Sequence, residues 1–221
     1  MKYNLSYEIC ALFILFLVFI HVNGKLVINS FRNRFFRIFI VVGSFDIIFD
    51  ILTVFMFSYP ELYPAGIQST ATTIFYLLQV SLTYMFYIYC YTLNDRLHVK
   101  NAREIVACSI LFFVMIGLVF SNPSTGYIFY FDANDVYTYG PLYYATYLYA
   151  LIYMLMTVSY LLIFHKSIQK KQFWFMLECI LWIFLCTGIQ AIQSDVLLTG
   201  VGISVSLIII ILTLNNPIEQ M

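Results

Sequence analysis

Residues 32–57 read RNRFFRIFIVVGSFDIIFDILTVFMF, a basic stretch that opens a long apolar run with two aspartates near its middle. A helix needs roughly 20 apolar residues to cross a hydrocarbon core of about 30 Å, and Phe35 to Phe57 is long enough. Asp46 lies about 11 residues from the Arg-rich end, or roughly 16 Å at the rise of an α-helix, close to the midplane. An ionised Asp there costs at least about 2.5–3.5 kcal/mol. Asp46 and Asp50 are four residues apart, so they share one helix face, and that face is expected to point into a bundle rather than into lipid.

The rest of the chain follows the same pattern. Of its 221 residues, 62% are hydrophobic and 10% charged, with a mean hydropathy of +0.89. Soluble domains carry about 25% charged residues, so a soluble core of this size could not bury so much apolar surface. Seven stretches qualify as spans, at about residues 5–22, 35–57, 67–93, 103–120, 142–164, 173–193 and 196–214. Breakers separate them: SYPELYPAG after the second, Asn122-Pro123 ending the fourth, Gly140-Pro141 starting the fifth, and NNP after the last. The first run has only Lys2 before it and no small-x-small cleavage site after it, so it reads as a retained helix rather than a signal peptide. The expected fold is all-α, a single seven-helix membrane domain over residues 1–221.

Charge orients the bundle. Lys25, Arg32, Arg34 and Arg37 flank the first connection, Arg96, Lys100 and Arg103 the third, and Lys166, Lys170 and Lys171 the fifth. The alternate connections hold Glu61, then Asp132 and Asp135, then Asp195, and no base. Of the 11 Lys and Arg, only Lys2 falls on the second side. The positive-inside rule therefore puts the N-terminus outside and the C-terminus in the cytoplasm of a multi-pass cell-membrane protein. The net charge is zero, which argues against nucleic-acid binding.

The polar residues at membrane depth are the candidate ligand or switch contacts. Asp46 and Asp50 either form such a site or act as a hydrogen-bonding hub for helix packing, with Gln79, Gln190 and Thr or Tyr hydroxyls as partners. Gln190, Gln193 and Asp195 make the outer end of the sixth span polar, and an outward-opening pocket is expected there. Glu178 is a weaker candidate that could pair with Lys170 or Lys171. Above these lies the loop 122–144, NPSTGYIFYFDANDVYTYGPLYY, with Asp132, Tyr137 and Tyr139 as candidate contacts. Its lack of Lys and Arg follows from topology and requires no cationic ligand, and its tyrosines suit the headgroup zone. The loop either covers the pocket or forms an anchored hairpin.

Several chemistries lack support. The five cysteines (Cys10, Cys90, Cys108, Cys179 and Cys186) sit in apolar runs without CxxC spacing and read as buried small hydrophobes. His21, His98 and His165 are scattered, so no metal or cofactor is expected. No hydrolase triad, HExxH or P-loop occurs, and the cytoplasmic segments are short, so the chain does not read as an enzyme. An intramembrane aspartyl protease usually draws its two Asp from different helices, whereas here they share one. Gly200 with Ser204, and Gly202 with Ser206, are small-xxx-small pairs suited to close helix packing.

The stretches NPSTGYIFYFDANDVYTYGPLYY and LLTGVGISVSLIIIILTLNNP, with FDIIFDILT and MKYNLSYEICAL, carry a resemblance over essentially the whole chain. They resemble the N-terminal seven-helix sensor region of Firmicute sensor histidine kinases and GGDEF-type diguanylate cyclases. In that family an NP-x-TG-x-x-FYFD pattern precedes the fifth span, and an LTLQNP-like segment leads into the output domain. Here the sequence stops after LTLNNPIEQM, which fits a sensor fragment, a truncated gene or a module signalling through a partner. The family commonly has a basic residue where Tyr139 stands, so the resemblance implies no anion contact at that position.

The resemblance implies a bacterial signal-transduction module that passes a helix rearrangement to a cytoplasmic kinase or cyclase, in the manner of a two-component system. The expected partners are the bilayer, an unidentified stimulus and that output protein, and a homodimer is compatible with the sequence. The alternative is a small ion- or proton-coupled transporter using Asp46 and Asp50. An animal-type seven-helix receptor is a third reading. The loops are short for it, and TLNDRLHV supplies only an isolated Asp-Arg pair at the inner end of the third span.

Overall fold

Apolar runs of this length, with glycine and proline confined mainly to their ends, satisfy their backbone groups internally as helices. A computed structural model of the protein describes residues 4–25, 31–93, 102–132, 135–193 and 197–214. Among these residues lie seven α-helices: α1 (Ser6–Lys25), α2 (Phe31–Ser58), α3 (Ala65–Tyr91), α4 (Ala102–Thr125), α5 (Tyr144–Ile163), α6 (Lys170–Ile192) and α7 (Thr199–Leu214). Each coincides with one expected span. Five of them, α2 to α6, are long and apolar enough to cross a membrane; α1 and α7 are apolar over the shorter stretches Ser6–Val22 and Thr199–Ile211. Arg96, Lys100, Asp195, the Asp-Arg pair and the closing NNP lie outside the described residues.

Polar and apolar surfaces are arranged opposite to those of a soluble protein. Phe13, Phe16, Phe113, Phe120, Leu155 and Phe184 face outward, whereas Glu8, Asp46, Asp50 and Gln68 are buried. Such a continuous apolar exterior suits lipid as solvent. Cys90, Cys179 and Cys186 are buried as expected and Cys108 partly so, but Cys10 is exposed on the apolar exterior. Glu178 is also exposed.

α2 is flanked by α1 and α3; α7 lies against α1, α2 and α6, and α3 carries α4 and α5. Phe36 meets Tyr89 with ring centroids 5.9 Å apart, and Phe39 meets Phe86 at 6.4 Å, as antiparallel α2 and α3 require. The Tyr149 hydroxyl donates to the Val80 carbonyl at 2.9 Å and that of Tyr160 to Tyr91 at 3.2 Å. Both bonds join residues 69 apart, so α3 and α5 run parallel. These contacts bring the start of α2, with Arg34 and Arg37, and the C-terminal ends of α3 and α5 to one end of the bundle. The opposite end carries the acidic connections.

Three local expectations are corrected at that acidic end. Pro123 does not break the fourth helix but lies within the last turn of α4, which runs to Thr125. The terminator is Gly126, whose φ of +66° is a left-handed helix cap, with its N–H donating to Asn122 O at 2.8 Å. Pro141 lies in a turn, and α5 starts three residues later at Tyr144. The fold is also not purely helical. Strands β1 (Phe129–Phe131) and β2 (Tyr137–Tyr139) pair antiparallel, with Phe129 opposite Tyr139 and Phe131 opposite Tyr137.

Candidate functional site

Asp46 and Asp50 occupy the interior face of α2, with 3% and 6% of their surfaces exposed. Asp46 Oδ1 is buried with no hydrogen-bond partner among the described residues, and the side-chain oxygen of Gln190 is taken up by another helix. Gln190 Oε1 instead accepts from Leu198 N at 2.8 Å, Thr199 N at 2.9 Å and Thr199 Oγ1 at 2.7 Å. It is a cap lent by α6 to the first turn of α7, satisfying amides that the helix itself leaves open.

A third carboxylate joins the pair. Glu8 of α1 is fully buried and accepts from the Gly200 N–H of α7 at 3.1 Å, while its Oε2 has no partner among the described residues. A Cβ on Gly200 would collide with this carboxylate, so the first small residue of the α7 motif makes room for an acid rather than a helix. Glu8 lies within electrostatic reach of both aspartates. Sequence reasoning did not single it out, although it falls inside the 5–22 span, where any carboxylate deserves the treatment given to Asp46. No group of three or more His, Cys, Asp or Glu among the described residues is placed to hold a metal ion.

Above Asp50 a cavity of about 100 Å³ opens toward the acidic end. α2 contributes Asp50, Thr53 and Phe57 to it, α3 contributes Thr72 and Tyr76, and Gln190 closes one side. Tyr137 and Tyr139 of β2 and Tyr143 and Tyr147 at the start of α5 complete the wall. Two hydroxyl pairs line it, Tyr76 with Tyr137 at 3.0 Å and Tyr143 with Tyr147 at 3.1 Å.

The hairpin is both anchored and part of the wall. Tyr137 stacks on Phe57 at 4.8 Å and on Phe129 at 5.7 Å, and Phe129 stacks in turn on Tyr76 at 5.6 Å. Asn122, fully enclosed at the end of α4, donates to Phe129 O at 2.9 Å and accepts from Ile128 N at 2.6 Å. Gly140 passes so close to the carbonyls of Gly126 and Tyr127 that no Cβ fits. Neither Asn122 nor Gly140 was expected as an anchor; the signal available was that a polar residue and a glycine bracket a loop.

Of the seven candidate residues, Asp50, Tyr137, Tyr139 and Gln190 meet at one cavity. Asp46 lies one helical turn from Asp50 and does not line it. Gln79 is a part-buried residue of α3 outside the cavity. Asp132 is exposed and accepts from Val136 N at 3.0 Å, closing the hairpin turn in which Asp135 adopts a φ of 58°. It shapes the loop rather than the cavity.

What fold and site define together is an apolar helical bundle of membrane-protein character, with a carboxylate-floored aromatic cavity at one end. No known protein family, curated protein or solved structure matches the chain.

Proposed function

We propose that the chain is a seven-span sensory module of a bacterial cell membrane that receives a stimulus in this cavity and relays it to a cytoplasmic output. The observation that supports the reading is the convergence of Asp50, Tyr137, Tyr139 and Gln190 on one cavity at the acidic end of the bundle. Gln190 is both a wall of that cavity and the cap of α7, so a ligand that displaces it acts on α7 directly. α7 is the helix that leads to the output side. A ligand shifts the bundle only as far as it binds one helix arrangement better than the other.

The test is a chimera in which a diguanylate cyclase follows α7. Asp50→Asn and Gln190→Ala, at unchanged expression, are expected to alter cyclase output. Equal output across the Asp46, Asp50 and Gln190 variants would refute the sensory reading.

A second reading, proton- or ion-coupled transport, is favoured by one observation: three buried carboxylates, two with an oxygen lacking a partner among the described residues. Proton-dependent flux in proteoliposomes that disappears with Asp50→Asn would select it.

A further inference from the structure

We propose that a groove on the outer face of α5 seats an anionic phospholipid, with one acyl chain along the helix and the headgroup beside Lys166. This is independent of the sensory reading. The groove encloses about 530 Å³ between α5 and Tyr87 of α3, within the range of about 300–1,000 Å³ usual for small-molecule sites. It belongs to the exterior of the bundle, since Leu155 and Ile163 on its wall are exposed. Its lining is graded along the helix: Leu155 and Met156 are wholly apolar, Ser159 follows, and Ile163 leads to the end of α5.

Ser159 marks the level at which the groove turns polar. Ser44, Ser81 and Ser109 turn their hydroxyls back onto the carbonyl four residues earlier, at 2.9, 2.7 and 2.7 Å, a common arrangement for a helix serine in apolar surroundings. The exposed Ser159 makes no such bond, so its hydroxyl is available to a group in the groove. It lies one helical turn, roughly 6 Å, before the end of α5 at Ile163. α5 has 20 residues and so matches a hydrocarbon core of about 30 Å. Ser159 therefore lies near the boundary of chains and headgroups, where the ester carbonyls of a phospholipid accept hydrogen bonds.

Charge selects the headgroup. From Ser159 to Lys171 the chain carries His165, Lys166, Lys170 and Lys171 and no acid, and the three lysines are exposed. Lys166 follows directly on the end of the groove at Phe164. Basic residues grouped at the membrane surface attract anionic lipid. A second copy of the chain would fill the apolar part of the groove but match neither the serine hydroxyl nor the lysines.

The test is native mass spectrometry of the full chain, released from nanodiscs holding equal amounts of phosphatidylglycerol and phosphatidylcholine with the same acyl chains. Retention of one phosphatidylglycerol is expected, in preference to phosphatidylcholine by at least about fivefold, the factor one lysine near the surface supplies. Lys166→Gln is expected to lower that preference several-fold, while Glu61→Gln at the opposite end of the bundle leaves it intact. Ser159→Phe, which fills the groove, is expected to lower retention of both phospholipids. Equal retention of the two by the unaltered chain overturns the proposal without requiring any variant to fold. So does a preference that survives both Lys166→Gln and Ser159→Phe. A dimer that forms with the unaltered chain and is lost with Ser159→Phe would give the groove to a second copy, and overturns the proposal equally.

Discussion

The α3–α4–α5 side of the bundle and the α1–α6–α7 side are joined by different chemistry. On the first, tyrosine hydroxyls reach across to neighbouring helices: Tyr149 to Val80 O, Tyr153 to Cys108 O, Tyr160 to Tyr91 O, and Tyr84 to Ser109 Oγ. On the second, small residues let backbones approach. A Cβ on Gly202 would lie 3.1 Å from Cys186 Cβ, and Ser206 Oγ donates to Cys179 O at 3.4 Å. Interhelical hydrogen bonds in membrane proteins contribute about 0.6 kcal/mol each on average, so the tyrosine side is stabilised by many small, replaceable increments. The small-residue side depends on steric fit, where one added side chain disturbs a whole contact. α5 and α6, the facing edges of the two sides, make few contacts, and the cavity opens near this seam. Elsewhere α2 joins the two sides, packed against α3 on one and against α1 and α7 on the other.

The largest expected effect is where the hairpin is latched to the end of α4. Gly140→Ala places a Cβ against the Tyr127 and Gly126 carbonyls, which are backbone and cannot rotate away. A local cost of about 3 kcal/mol is expected, the upper range for overpacking. Hydrogen exchange of the strand amides 129–131 and 137–139 should then accelerate by about 100-fold, while the helices stay protected. Unchanged exchange would show that the hairpin is not latched at this point.

Next comes Gly202→Val, expected to destabilise the α6–α7 contact by about 2 kcal/mol in mixed-micelle unfolding. Gly200→Ala ranks lower, at about 1 kcal/mol, because the obstructing atoms are the end of the Glu8 side chain, which can swing aside. Glu8→Ala in the same chain should recover most of that loss. Failure of the double variant to do so would mean that Gly200 packs against something other than the acid.

The smallest effect belongs to the tyrosine side. Tyr149→Phe removes one bond to a carbonyl and should cost about 0.6 kcal/mol. A loss as large as that of Gly202→Val would erase the distinction between the two sides.

Helix positions were legible because they depend on runs of local composition. The separation of basic from acidic connections was equally plain, since alternate loops of antiparallel neighbours fall at opposite ends. Errors arose where a turn is decided by its surroundings. Pro123 reads as a breaker, but proline lacks only one N–H, and the last turn of α4 tolerates that loss before Gly126 ends the helix. The loop was correctly read as tyrosine-rich and non-basic, yet its anchors, Asn122 and Gly140, act through backbone contacts that no side-chain pattern announces. Gln190 was singled out for polarity at depth, but its bonding to Thr199 depends on how the chain turns between α6 and α7.

By itself, the sequence determined that apolar helices of this length and composition suit lipid, and that Asp46 and Asp50 must share an inward face. Both follow from short-range rules, the period of the helix and the cost of a carboxylate in hydrocarbon. Only the tertiary structure decided which aspartate meets the cavity, which tyrosines surround it, and that Glu8 is its neighbour. The Glu8–Gly200 contact joins residues 192 apart. Many sets of helix neighbours satisfy the same local pattern, and the choice among them is made by how surfaces fit when all the helices pack at once.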